Sequence, residues 1–251
     1  MCDQCGCAAT TGFVRVADQR GAVSARAADS KSVSVVAGIL AANDREARHN
    51  REHLDRRGIL ALNLMSAPGS GKTSLLESTI DACRDRLRIA VIEGDLETEN
   101  DARRIRAKGV PAVQITTGQT CHLDAIMVHD ALHALDLDAI DVLMIENVGN
   151  LVCPASFDLG QHANVALLAV TEGDDKPAKY PAMFRGADLV MLSKIDLLDV
   201  LDDFAPDAAD RHVRALANPA PILRTSAKRP ATLGPWVAWI EARLAAARAA
   251  P

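Results

Sequence analysis

Apolar and polar positions divide the chain into two unlike parts. Residues 8–31 mix small, polar and charged types with no sustained period, which predicts a flexible linker. From Val33 to Arg57 there is no proline and a single glycine, Gly38. Val35, Ile39, Ala42, Glu46, Asn50 and Leu54 trace one stripe at helical spacing, apolar at its start and polar at its end. The prediction over 32–57 is therefore a long, partly exposed helix, stopped by Gly58.

After Gly58, short apolar runs alternate with helical segments. The runs Ile59–Met65, Arg88–Ile92, Ala112–Thr116, Ala139–Glu146, Asn164–Val170, Leu189–Leu192 and Pro221–Arg224 suit strands buried on both faces. Helical patterns cover Lys72–Arg84, Asn100–Lys108, Cys121–Leu135, Pro177–Phe184 and Leu233–Arg248. This alternation predicts an α/β fold, a doubly wound and mostly parallel sheet over 58–251, with ligands at the carboxyl ends of its strands. With two Trp, one Tyr and four Phe in 251 residues, the core must be aliphatic.

A formal net charge of −5 argues against a nucleic-acid binder, which needs a basic surface. No stretch reaches the roughly 18 apolar residues that span a bilayer, and the N-terminus lacks a basic segment followed by an apolar run. A cytoplasmic protein is expected. The six cysteines, at 2, 5, 7, 83, 121 and 153, could form three disulfides, but a chain of this size without an export signal suits reduced thiols better.

Ser66-Ala67-Pro68-Gly69-Ser70-Gly71-Lys72-Thr73 follows one strand run and opens a helix, the setting of a phosphate-binding loop. Gly69, Ser70 and Gly71 would wrap backbone N–H groups around phosphate oxygens, with Ser74 following in the helix. Lys72 would reach the β- and γ-phosphates, and the Thr73 hydroxyl would bind Mg²⁺. Asp95 and Glu146, at strand ends that converge on the phosphates, are the candidate catalytic and Mg²⁺-binding carboxylates. Ser193-Lys194-Ile195-Asp196 resembles the guanine-specificity element Asn-Lys-x-Asp of GTPases. Asp196 can accept from both guanine donors, and Lys194 would cover the base. Ser226-Ala227-Lys228 is the second base-contacting element, so GTP is favoured over ATP. Glu146-Asn147-Val148-Gly149 resembles the Asp-x-x-Gly switch element.

Cys2, Cys5 and Cys7 bring three thiolates together near the chain start, a set for a soft or borderline cation. With the initiator Met removed, the α-amine of Cys2 would complete a square-planar set that suits Ni²⁺ better than Zn²⁺. A second set is Cys121, His122 and Cys153. Thr120 is expected to cap a helix that Leu123, Ile126, Met127 and Ala131 mark, which places Cys121 in a first turn where the dipole favours thiolate. Three ligands leave a tetrahedral site one short, so water or a second subunit of a homodimer must supply the fourth. His49, His53, His129, His133 and His212 read as helix-surface residues, with His129 and His133 at i, i+4 also able to share a metal. Cys83 reads as core.

With these motifs assembled, the chain resembles the hydrogenase nickel-incorporation GTPase family, HypB, of the SIMIBI class of P-loop proteins. The likeness covers 58–251 and the Cys2–Cys7 motif, and is most specific at Glu146–Pro154 and Thr171–Pro177. The resemblance implies a slow GTPase acting as a metallochaperone that inserts Ni²⁺ into the large subunit of [NiFe]-hydrogenase. It also implies nucleotide-driven homodimerisation and a HypA-type zinc protein as partner. By the same likeness Cys121, His122 and Cys153 match the Ni²⁺/Zn²⁺ site of the GTPase domain, and Cys2, Cys5 and Cys7 the high-affinity nickel motif. The rival readings are a nickel or zinc buffer with a vestigial nucleotide site and a P-loop small-molecule kinase. The urease-maturation cousin is disfavoured because its Cys-Pro-His element is absent.

Overall fold

The computed structural model describes residues 13–17, 23–27, 30–97, 100–118 and 120–249. Where the sequence predicts a linker, β1 (Phe13–Ala17) pairs antiparallel with β2 (Val23–Ala27), Phe13 opposite Ala27. Val14, Val16 and Val23 are stiff β-formers, so this part of the stretch is a ribbon rather than a tether.

The helix α1 runs from Ser30 to Asp55, and Gly58 closes it with φ +61° and an N–H donated to the Asp55 carbonyl at 2.9 Å. From Gly38 onward its buried positions are Asn43, Ala47, Asn50 and Leu54, so the predicted stripe holds at Asn50 and Leu54, while Ile39 and Ala42 are exposed and Asn43 and Ala47 dock instead. The helix is held by hydrogen bonds as much as by apolar contact. Asn43 donates to Asp158 O at 2.8 Å and accepts from Ala125 N at 2.9 Å. Hydropathy cannot report a docking face built on amides.

Downstream come β3 (Leu60–Ser66), α2 (Lys72–Cys83), β4 (Ile89–Asp95), α3 (Asn100–Ala107), β5 (Ala112–Thr116), α4 (Ala125–Leu132), β6 (Val142–Glu146), β7 (Ala163–Ala169), α5 (Lys176–Lys179), α6 (Pro181–Arg185), β8 (Leu189–Ser193), α7 (Pro206–Ala215), β9 (Ile222–Arg224) and α8 (Gly234–Ala249). The seven strands from β3 onward form one sheet in the order β5-β4-β6-β3-β7-β8-β9, every pairing parallel. Side chains of α2, α3 and α8 cover one face around Leu62, Leu64 and Trp236. On the other face, α1 and α4 pack over Ala61 and Ile145, and α6 and α7 over Ala166 and Val190. Cys83 lies in the first of these cores, as expected.

Two helical expectations change. The segment Pro177–Phe184 is two short helices, because Pro181 has no N–H to continue the first. The helix α7 was not foreseen; Pro206 sits in its first turn, and only Ala209 and Val213 are buried. The carboxyl ends of β3, β4, β6, β8 and β9 all open on one edge of the sheet, which is where the site forms.

Candidate nucleotide and metal site

The chain leaves β3 through Ser66 and turns into α2 through Gly69 and Gly71, at φ +74° and +95°. Left-handed backbone at both positions needs glycine and turns amide N–H groups inward. Lys72 donates to Ser66 Oγ at 3.0 Å, so the serine that replaces the usual first glycine of the motif holds the lysine. Ser70 Oγ lies 2.7 Å from Ala67 O and 2.6 Å from Glu172 Oε1, which braces the loop from the end of β7. The stretch Thr171–Pro177 carried no assigned role in the sequence, and Glu172 supplies one. A cleft of about 490 Å³ opens over the loop, lined by Lys72, Thr73, Ser74, Asp95 and Glu146. Arg104 reaches its edge and donates to Ser74 Oγ at 3.3 Å.

Glu146 ends β6 beneath this cleft. Thr73 Oγ1 donates to its Oε1 at 3.0 Å, and Lys72 Nζ stands 3.9 Å away. In register beside it on β4 is Glu93, which the sequence reading passed over. Both are nearly fully buried. Burial, then the charge of Glu146, pushes Glu93 up to about 11. Burial also raises Glu146, opposed chiefly by Lys72. Glu93 Oε1 and Glu146 Oε2 are buried without a hydrogen-bond partner. Unsatisfied carboxylate oxygens beside a threonine hydroxyl suit a hard divalent cation. Asp95 lies at the rim, where its Oδ1 accepts from Leu96 N at 2.7 Å.

Next to the loop is a smaller pocket of about 240 Å³ between Lys194, Asp196 and the Ser226-Ala227-Lys228 turn. Ser226 Oγ donates to Asp196 at 2.5 Å, and that bond holds the Asp196 carboxyl below its ordinary range. Asp196 is thus fixed as an ionised acceptor. Lys194, at φ +58°, crosses the phosphate loop and donates to Gly69 O at 2.6 Å. The two pockets therefore share a wall.

Cys121, His122 and Cys153 converge, with candidate ligand atoms all within 4.8 Å of one another. Cys121 Sγ is 2.9 Å from Cys153 Sγ and 3.9 Å from His122 Nδ1. His122 stacks on Phe157 at 3.9 Å between ring centroids, and burial lowers its pKa, which keeps the imidazole neutral and its lone pair available. The helix expectation is corrected here. The helix α4 begins at Ala125, and its cap is Asp124, which accepts from Met127 N at 2.8 Å. Cys121 precedes the helix rather than lying in its first turn, where the sequence predicts it. The reason is Leu123, fully buried against Gly94, where an added Cβ would stand 2.8 Å from the leucine side chain. With Leu123 buried there, 121–122 form a bend ahead of the helix, and the cap falls to Asp124. Ile126, predicted on the core stripe, is exposed. Cys2, Cys5 and Cys7 lie outside the described residues.

The switch element ties the two sites together. Asn147 Oδ1 accepts from Leu123 N at 3.1 Å, one residue from His122, while its Nδ2 donates to Asn63 Oδ1 at 3.1 Å. Gly149 packs so closely on the phosphate loop that a Cβ there would lie 2.9 Å from Pro68 Cα. Asn150 Nδ2 approaches Cys153 Sγ at 3.6 Å. Residues 146–153 thus run unbroken from the Thr73 hydroxyl to the Cys153 thiol.

Residues 60–224 match the CobW/HypB/UreG nucleotide-binding domain family. Over 212 residues the chain is 52% identical to the hydrogenase maturation factor HypB of Azotobacter vinelandii, covering 84% of this chain and 70% of that one. Among solved structures it is similar to HypB from Helicobacter pylori in complex with nickel, at TM-score 0.78 and 43% identity over 81% of this chain and 95% of that one. HypB from Archaeoglobus fulgidus superposes at TM-score 0.76, with 38% identity over 82% of this chain and all of that one (100%).

Proposed function

Because the chain belongs to the HypB branch of the CobW/HypB/UreG family, we propose that it is a GTP-hydrolysing nickel metallochaperone of [NiFe]-hydrogenase maturation. In this reading Gly69–Ser74 and Lys72 gather the phosphates of GTP, and Asp196 with Ser226, Ala227 and Lys228 selects guanine, Lys194 lying between base and phosphates. Thr73, Glu146 and Asp95 would hold Mg²⁺, with Glu93 behind them. When bound, the ion neutralises charge on the β- and γ-phosphates. Cys121, His122 and Cys153 carry Ni²⁺ as cargo, with Zn²⁺ as a competing occupant, and Cys2, Cys5 and Cys7 form the high-affinity acceptor. The proposed partners are a second copy of the chain, a HypA-type zinc protein and the hydrogenase large subunit.

What carries the reading is Asn147, whose one side chain joins the segment after Glu146 to the backbone beside His122. A γ-phosphate that orders 146–149 would set the position of Cys153, and hydrolysis would release it. The proposed coupling predicts that Ni²⁺ affinity at the GTPase-domain site differs between GDP and a non-hydrolysable GTP analogue, by roughly 5-fold or more for a coupling of ~1 kcal/mol. Isothermal titration of both complexes checks this, with ATP competition as the control for base choice. Equal affinities refute the coupling.

A further inference from the structure

The helix α1 carries Glu46, His49 and His53 at i, i+3 and i+7, and α4 carries His129, with His133 four residues on at its C-cap. These helices pack against each other, and the side chains meet. Glu46 Oε1 lies 3.3 Å from His49 Nδ1 and 3.3 Å from His129 Nδ1. The candidate ligand atoms of the three residues all fall within 4.8 Å of one another. For metal–ligand bonds of about 2.0–2.1 Å, neighbouring donors of a tetrahedral site stand about 3.3 Å apart. The Glu46–His49 pair already spans one edge of such a site.

A surface ion pair would explain one histidine beside one carboxylate. It does not explain four imidazoles in a row. Ring centroids are 4.8 Å apart for His49 and His53, 5.0 Å for His49 and His129, and 4.6 Å for His129 and His133. His129 is held from behind. Asn50 is fully buried, and its Nδ2 donates to the Ala125 and Leu159 carbonyls, which leaves its Oδ1 3.0 Å from His129 Nδ1. An amide or carbonyl that orients a ligand histidine is a recurrent feature of metal sites. With its Nδ1–H donated to Asn50, His129 presents Nε2 to the cluster, 3.0 Å from His133 Nε2, a spacing that fits a second edge.

We propose that Glu46, His49 and His129 form a further metal site on this chain, for a borderline divalent transition-metal ion of the Ni²⁺ or Zn²⁺ class, with His133 as an additional donor. Two imidazoles and one carboxylate suit such ions, whereas Mg²⁺ and Ca²⁺ take oxygen donors. The ion would clamp α1 to α4, the helix that follows the Cys121–His122 segment. The site stands apart from the nucleotide reading and does not depend on it.

The test is equilibrium dialysis of the full chain against Ni²⁺, then against Zn²⁺, with elemental analysis of the parent, His49→Gln and Glu46→Gln. His49 is exposed, so its replacement leaves the core intact. The expected result is one equivalent less metal per chain in each variant, with the thiolate-to-nickel absorption band unchanged. An undiminished count overturns the proposal. So does a loss of metal that takes the thiolate band with it, since the ion then belonged to the cysteine sites.

Discussion

At the scale of single residues, Glu93 and Glu146 carry the heaviest electrostatic load in the fold. They are register partners on β4 and β6, nearly fully buried, and two carboxyls so placed cannot both ionise. Unfolded, Glu93 loses its proton near pH ~4.3, whereas folded it holds it to about 11. The folded chain therefore binds the extra proton across that window, and the stabilisation present below it is lost as pH rises. Glu93→Gln has no proton to lose. In the nucleotide- and metal-free protein it is expected to be more stable than the parent by about 1–4 kcal/mol at about pH 8, the gap narrowing towards about pH 5. Urea melts at the two pH values measure this, and a gap that does not change with pH contradicts it. The phosphate loop, Asp196 and Glu146 were legible because glycine, lysine and carboxylate at fixed offsets do the chemistry wherever that loop occurs. Glu93 was not. The apolar run Arg88–Ile92 stops one residue short of it, and only the pairing register brings its carboxyl beside Glu146.

At the scale of elements, apolar runs named all seven strands of the main sheet, the five inner ones because a strand covered on both faces leaves no other pattern; the edge strands β5 and β9 are only half-buried. Their order was not legible, because such runs carry nothing that identifies a neighbour. Helix starts failed where two caps competed. Thr120 and Asp124 are both good N-caps, and the burial of Leu123 decided for Asp124. Asp124→Ala is accordingly expected to cost about 1 kcal/mol in chemical denaturation. It should also weaken Ni²⁺ binding at the Cys121 site, because His122 lies just upstream of the freed turn. An unchanged denaturation midpoint would show that the first turn of α4 does not depend on this cap. The docking face of α1 was missed in part, for a different reason. Its end at Asn50 and Leu54 lies on the predicted stripe and is buried, but Asn43, a buried amide that hydropathy counts as outward-facing, and Ala47 lie off it.

At the scale of the whole molecule, the proposed thiol–imidazole metal site calls for a donor beyond Cys121, His122 and Cys153. Among the described residues it gathers three ligands, and a closed tetrahedral site takes four. Two large apolar side chains beside it face solvent. Val152, next to Cys153, is 45% exposed, and Ile126, in the first turn of α4, is 56% exposed. Large apolar side chains left in water beside an unfilled ligand set are what a two-fold contact would cover, since an isologous interface brings the same loop from each copy to the axis. The switch segment 146–153 leads to that surface, so nucleotide and metal should act on assembly together. Light scattering is expected to give a monomeric mass for the metal-free GDP form and twice that mass with Ni²⁺ and a non-hydrolysable GTP analogue. Cys121→Ser should remove the part of the shift that depends on metal and keep any part that depends on nucleotide alone. A mass that stays monomeric under all these conditions would assign the fourth ligand to water and leave Val152 and Ile126 to face a different protein.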